Sequence, residues 1–142
     1  MSGESVETIR RNTEAFNAFM CSRLSSEAFA ERFDREVEVI WRDQQTYPDF
    51  PQHLRGVEEL IRFSEEYRER WSELSQELLE LIEAPHDRVL TLIRQSGRGR
   101  QSRVPITIHF FTVSTIRDGR VLKIEYFRHR VDALRAADLD GE

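Results

Sequence analysis

Wound at about 3.6 residues per turn, residues 6–20 place Val6, Ile9, Phe16 and Met20 on one side. Thr13 lies between them, with Glu7, Arg10, Arg11 and Glu14 elsewhere. This spacing predicts an amphipathic first helix. Ser25 and Ser26 are placed to cap a shorter second helix through Ala28, Phe29 and Phe33 that ends near Asp34, because a serine hydroxyl satisfies a free amide at a helix start. The pattern then changes period. Val37, Val39 and Trp41 alternate with Glu38, Ile40 and Arg42, which predicts a strand, and Pro48 and Pro51 impose a loop. After Gly56, the apolar set Val57, Leu60, Ile61, Phe63, Tyr67 and Trp71 again follows a helical period.

Residues 74–82 are ambiguous. Leu74, Leu78, Leu81 and Ile82 would share a helical face, and Glu and Leu favour helix, so propensity alone extends the third helix to Glu83. From Arg88 onward three strands are predicted, over Val89 to Arg94, Val104 to Ile116 and Val121 to Arg128. Gly97 and Gly99 mark the loop between the first two. Asp118-Gly119 marks a tight hairpin turn, since both residues tolerate positive φ. A last helical turn, Val131 to Ala137, precedes a polar tail from Asp138 to Glu142 that is expected to fray.

At 142 residues the chain suits one domain, expected over 5–139 with 1–4 and 140–142 as flexible termini. The net charge of −5 argues against nucleic acid, whose binding needs Lys and Arg to displace counterions. No apolar run approaches the roughly 20 residues that span a bilayer, and the acidic start does not resemble a signal peptide. The expectation is a soluble, cytoplasmic protein with no membrane partner. Its one cysteine, Cys21, is expected as a buried thiol at the end of the first helix.

The order of elements resembles the nuclear transport factor 2-like superfamily, and several local features resemble its SnoaL-like branch, related to the ketosteroid isomerases. These are Glu14-Ala15-Phe16-Asn17, Phe33 with Val37 and Val39, Leu54-Arg55-Gly56, Arg94 to Gly99, Ile116 to Val121, and Asp132 to Ala137. The resemblance runs from about Ser5 to Leu139. It implies an α+β fold, a curved antiparallel sheet forming a cone packed with three N-terminal helices and a short C-terminal one (a cystatin-like roll). It also implies that residues 74–84 form a strand despite their helical composition.

Strand parity then sorts the side chains. Leu122, Ile124, Tyr126 and Arg128 are expected to point inward, with Lys123 and Glu125 outward. On the preceding strand the inward set is Ile106, Ile108, Phe110, Thr112 and Ser114. His109, Phe111, Val113 and Thr115 would face outward, where the resemblance implies a homodimer across the sheets through His109, Phe111 and Val113.

The catalytic residues of related isomerases correspond approximately to Trp41, Asn12 and Thr112 here, and those of related epoxide hydrolases to Gln95, Tyr126 and Ile93. Neither set supplies the carboxylates that such chemistry uses. The expected ligand-binding set is Trp41 on the first strand, Phe63, Tyr67 and Trp71 on the third helix, and Ile93 and Gln95 on the next strand. Phe110 and Thr112, then Tyr126 and Arg128, come from the last two strands. That composition suits a pocket for a small apolar or aromatic metabolite; equally, the aromatics simply fill a core. Asp43, Tyr126 and Arg128 are the weak catalytic candidates, although Asp43 reads more naturally as a solvated loop-edge carboxylate. Arg128, if inward, needs an anion.

His109 and His129 could approach one another, but no third ligand is spaced to complete a metal site, so no metal or cofactor is expected. Arg94, Arg98, Arg100 and Arg103 could greet a phosphate, or simply solvate a hairpin tip. His53 and His86 carry no pattern. Three functions stay open: a small-molecule pocket, an isomerase, cyclase or hydrolase with an unfamiliar acid-base set, and a dimeric interaction module.

Overall fold

A computed structural model describes residues 2–42 and 51–139. The elements run α1 (Ser2–Met20), α2 (Ser26–Ala30), β1 (Phe33–Trp41), β2 (His53–Arg55) and α3 (Val57–Glu69). They continue through β3 (Trp71–Ala84), β4 (Arg88–Gly99), β5 (Pro105–Arg117), β6 (Arg120–Phe127) and α4 (Arg130–Ala136). The six strands form one curved, open sheet in the order β2-β1-β6-β5-β4-β3. Its pairings are antiparallel except for β1 with β6, which run parallel, so the sheet is mixed within the expected α+β architecture.

Local chemistry accounts for most boundaries. The Ser25 hydroxyl accepts from the Ala28 amide at 3.1 Å and starts α2. This helix stops at Ala30, and Phe33 opens β1. α1 begins at Ser2, earlier than its apolar period indicated. Asp118 and Gly119, at φ 53° and 75°, make the two-residue turn that lets Arg117 face Arg120. β2 was hidden from sequence by its brevity: only Leu54 among its three residues is buried. Pro48 and Asp43 lie outside the described residues.

β3 settles the ambiguous stretch as a strand. It pairs with β4 from Trp71 opposite Gly99 to Ala84 opposite Arg88, with irregularities between Trp71 and Glu73 and between Leu78 and Glu80. Each irregularity inserts a residue and resets which side faces in, so Leu78 and Leu81, three apart, both pack in the same core. Bulges thus gave an extended segment a helix-like spacing. Trp71, expected on the third helix, is the first residue of β3. Arg100 fixes this junction by donating from Nε to the Glu69 carbonyl at 2.9 Å and from Nη2 to the Trp71 carbonyl at 2.8 Å.

Both faces of the sheet are packed. Against one, α1, α2 and α3 bury Phe19, Phe29, Val37, Val39 and Trp41 among others. The Asn17 side chain ties α1 to the edge strand, donating to the Gln76 carbonyl at 3.0 Å and accepting from its amide at 2.8 Å. Against the other face, α4 packs Ala133, Leu134 and Ala137 on Leu90, Val113 and Phe127. Its end is held by Arg88, which donates to the Ala136 carbonyl at 2.6 Å and to Asp138 at 2.7 Å. Asp138, at φ 59°, lets the Leu139 amide donate back to the Leu134 carbonyl at 2.8 Å. Asp138 is therefore anchored, not frayed as expected.

Cys21 also departs from expectation. It is exposed, in the turn that follows α1, and its sulfur accepts from Arg23 Nε at 3.2 Å. That bond and the neighbouring positive charge hold the thiol below its ordinary pKa.

Candidate functional site

Between the helices and the inner face of the sheet lie two adjoining hollows, or lobes, of about 90 Å³ each. Phe16, Gln76, Ile124 and Tyr126 line both, as do Phe29 and Phe33. By the measure in which a water needs roughly 10–15 Å³, each lobe exceeds one water.

The first lobe has an aromatic wall. Phe63 stacks on Tyr67 at 5.8 Å between centroids, Trp41 meets Phe63 at 5.3 Å and stacks on Tyr126 at 5.2 Å, and Tyr126 meets Phe110 at 5.5 Å. Phe63 and Tyr67 lie four apart on α3, which puts them on one helical face. Trp41, Phe110 and Tyr126 come from neighbouring strands at inward parity. The polar groups here satisfy one another: Gln76 Nε2 donates to Gln95 Oε1 at 2.9 Å, and Gln95 Nε2 donates to the Tyr67 hydroxyl at 2.9 Å. Burial raises the Tyr67 pKa above its ordinary value, which keeps the phenol neutral.

The second lobe is more polar and lies between α1 and the sheet. Asn12 and Thr13 on α1 face Thr91 on β4 and Thr112 and Ser114 on β5. Thr91 and Thr112 share a hydroxyl–hydroxyl bond of 2.5 Å. Asn12 Oδ1 is buried without a hydrogen-bond partner. Neither lobe is lined by a charged side chain among the described residues.

The SnoaL-like domain family matches residues 9–124. The chain belongs to that family. Solved structures similar to this SnoaL-like chain include a putative SnoaL-like polyketide cyclase from Jannaschia sp. CCS1. That likeness has a TM-score of 0.73 at 18% identity and covers 100% of this chain and 96% of that one. TerC, crystallised with polyporic acid, gives a TM-score of 0.72 at 16% identity over 95% and 98% of the two chains. A protein with a ketosteroid isomerase-like fold from Catenulispora acidiphila DSM 44928, in complex with trimethylamine, gives 0.66 at 12% over 90% and 92%. At such identities the likeness concerns the fold. No functionally curated protein is similar enough to match.

Most of the residues expected in the pocket of this SnoaL-like domain converge. Trp41, Phe63, Tyr67, Gln95, Phe110 and Tyr126 line the first lobe; Ile93, Thr112 and again Tyr126 line the second. Trp71 lines neither and instead meets Tyr67 edge-on at 5.9 Å. Arg128 is the principal correction. β6 ends at Phe127, so Arg128 lies beyond the strand whose alternation was to turn it inward, and it is exposed. Leu122 likewise loses its inward place: the register between β5 and β6 shifts near Thr115 and Ile116, and Val121 joins the inner core. Ile106 shares the inward parity of Ile108 but is 40% exposed. Asp43 lies outside the described residues.

Sequence reasoning missed what the helices contribute. Phe16 and Met20 on α1, Leu60 and Ser64 on α3, and Phe29 and Phe33 near the chain reversal complete the first lobe. The amphipathic faces were visible, but not that they would stop short of filling the space. Gln76 was recoverable once residues 74–84 were taken as a strand, since it stands opposite Gln95.

Outside the cavity, the arginine cluster is largely engaged by the protein itself. Arg94 pairs with Glu77, Arg98 donates to the Arg103 carbonyl at 2.8 Å, and Arg100 is held at the α3–β3 junction. No three His, Cys, Asp or Glu side chains gather to hold a metal ion among the described residues. Among the described residues no helix is long and apolar enough to cross a membrane. Val113 faces outward as expected, but α4 covers it to 1% exposure, so it is part of the core and not a surface contact.

Proposed function

We propose that this SnoaL-like protein binds a small, uncharged, largely apolar or aromatic molecule in the cavity between its helices and sheet. One observation carries the reading: both lobes are built from aromatic, aliphatic, hydroxyl and amide groups, with no charged lining side chain among the described residues. An ionic ligand would lose its hydration there without a counter-charge, whereas an aromatic ring gains apolar contact and the quadrupole geometry of the Trp41–Tyr126–Phe110 wall. TerC with polyporic acid and the Catenulispora protein with trimethylamine support a small molecule as the kind of occupant.

The enzymatic alternative has less support. The titratable groups lining the lobes are Tyr67 and Tyr126, and a buried phenol is a poor base at neutral pH. No carboxylate or imidazole lines either lobe among the described residues. We therefore favour binding without acid-base turnover. The test is thermal: p-xylene at ten times its dissociation constant should raise the melting temperature by about 5 °C. Ser64→Leu, which fills the first lobe, should abolish the shift. An unshifted wild type would refute the pocket.

A second reading has its own observation. Leu92 pairs with Phe111 on the outer face beside α4, Leu79 is 39% exposed and Val131 56%, and Arg130 bridges the strip by pairing with Glu80 at 3.0 Å over the Phe111 ring. This uncovered apolar strip supports a homodimer through Phe111 and His109, without Val113. Phe111→Glu should convert a dimer to monomers in sedimentation; a monomeric wild type would reject it.

A further inference from the structure

β5 has a neighbour along more of its length on one side than on the other. It pairs with β4 from Pro105, opposite Arg98, onward, but with β6 only from Phe111, opposite Phe127. Residues 105–110 therefore have a strand on one side alone among the described residues. The phase of the ladder shows which groups face the bare side. The Val104 carbonyl accepts from the Gly99 amide at 3.3 Å, and the Ile116 amide donates to the Asp87 carbonyl at 2.9 Å. Even-numbered residues of this stretch thus turn their backbone polar groups toward β4, and alternation turns those of Thr107 and His109 outward along the edge. Pro105 fits the same phase, standing where an N–H would meet no partner strand. The two outer edges of the sheet, by contrast, are blunted. β2 has three residues. β3 is interrupted by two irregularities, and Asn17 occupies both the N–H and the C=O of its Gln76.

Charge decides what the bare edge suits. Residues 88–117 contain six arginines and no Asp or Glu, in a chain of net charge −5. Arg88, Arg94 and Arg117 are paired with Asp138, Glu77 and Asp34. The three at the tip of the β4–β5 hairpin are not. Arg98 and Arg100 donate to neutral carbonyls, and Arg103 is exposed two residues before Pro105. Val104 and Ile106, 53% and 40% exposed, add apolar surface beside them. We propose that the edge of β5 over residues 105–110 is a docking site for an extended acidic segment of a partner protein. That segment adds a strand by bonding the N–H and C=O groups of Thr107 and His109, while its carboxylates lie in the positive field of the hairpin tip. A second copy of the same edge supplies no carboxylate and leaves the tip arginines unneutralised.

The test uses the full chain and two hexapeptides, acetylated and amidated at their ends: Glu-Val-Glu-Val-Glu-Val and Lys-Val-Lys-Val-Lys-Val. In an amide chemical-shift titration the acidic peptide should give saturable shifts centred on Thr107 and His109 and should slow hydrogen exchange of those two amides. We expect the lysine peptide to bind at least about tenfold more weakly. Thr107→Pro removes an edge donor without touching the bonds to β4, and should weaken the acidic peptide at least about fivefold. Arg103→Glu keeps every edge donor and should narrow the preference for the acidic peptide over the lysine one. Equal binding of the two peptides by the wild type would overturn the acidic assignment. Shifts confined to residues outside 105–110, or undiminished binding by Thr107→Pro, would overturn the edge. A dimer in sedimentation that Thr107→Pro abolishes would put a second copy there in place of a partner, and no binding of the acidic peptide would refute the site.

Discussion

The two faces of the sheet use the same strands to opposite ends. On the outer face Leu90, Val113 and Phe127 meet Ala133, Leu134 and Ala137 of α4 in a closed apolar contact. On the inner face Thr91, Thr112 and Ile93 alternate with those residues along the same backbone, yet the helices above them leave two lobes open. Beneath α4 the outer face is completed by the chain's own residues. The inner face also includes Asn12 Oδ1, a buried acceptor with no partner. Burial therefore does not separate the closed face from the open one here; unfilled space does.

The contrast can be broken most severely from outside. Val113→Asp places a carboxylate beneath α4 with no counter-charge in its cluster, and should cost more than about 4 kcal/mol, leaving little folded protein in a urea titration. A stable variant would mean that α4 does not close this face. Gly97→Ala is the next largest. A β-carbon there would stand 2.5 Å from the Glu73 carbonyl oxygen and 2.6 Å from Leu74 Cδ1, so a loss of about 2 kcal/mol is expected. This tests whether β3 approaches β4 closely beside the irregularity between Trp71 and Glu73.

On the inner face the sign reverses. Asn12→Leu removes the unpaired acceptor and should raise the stability of the protein by about 1 kcal/mol. A loss of similar size would show that the oxygen has a protein partner. Smallest is the response to pH. The Glu36 amide and then Arg117 hold Asp34 below its ordinary value of 3.8, and Arg88 does the same for Asp138. The unfolded chain binds these protons first, so their stabilisation is present above about pH 4 and disappears as the pH falls through the lower folded values. Asp34→Asn should flatten that acid limb in pH-dependent denaturation. Tyr67 acts at the other end. Its pKa is raised by burial above the ordinary 10.0, so its contribution is full below pH 10 and is lost as the pH climbs toward the folded value. Tyr67→Phe should lessen the alkaline loss.

How far the sequence was legible follows from the same contrast. Alternation along β5 placed Phe110 and Thr112 inside and Val113 outside correctly, because a strand of 13 residues fixes parity many times over. Arg128 failed because the alternation was carried one residue past the end of β6. Leu78 and Leu81 misled because the irregularity between Leu78 and Glu80 shifts parity without leaving a compositional mark. Val113 was placed on the right face with the wrong neighbour, since no local pattern tells which surface a seven-residue helix will cover. Asn12 was noticed only as the approximate counterpart of a catalytic residue in related isomerases; that its oxygen would lack a donor depends on neighbours remote in sequence.

The central claim is that the occupied face is the inner one, and amide chemical-shift mapping with p-cresol tests it directly. Saturable shifts should gather at Asn12, Phe16, Gln95 and Thr112, while Leu90, Leu92 and Phe127 on the outer face stay fixed. Shifts confined to the outer strip around Leu92 and Phe111, or no saturable shift at all, would contradict it.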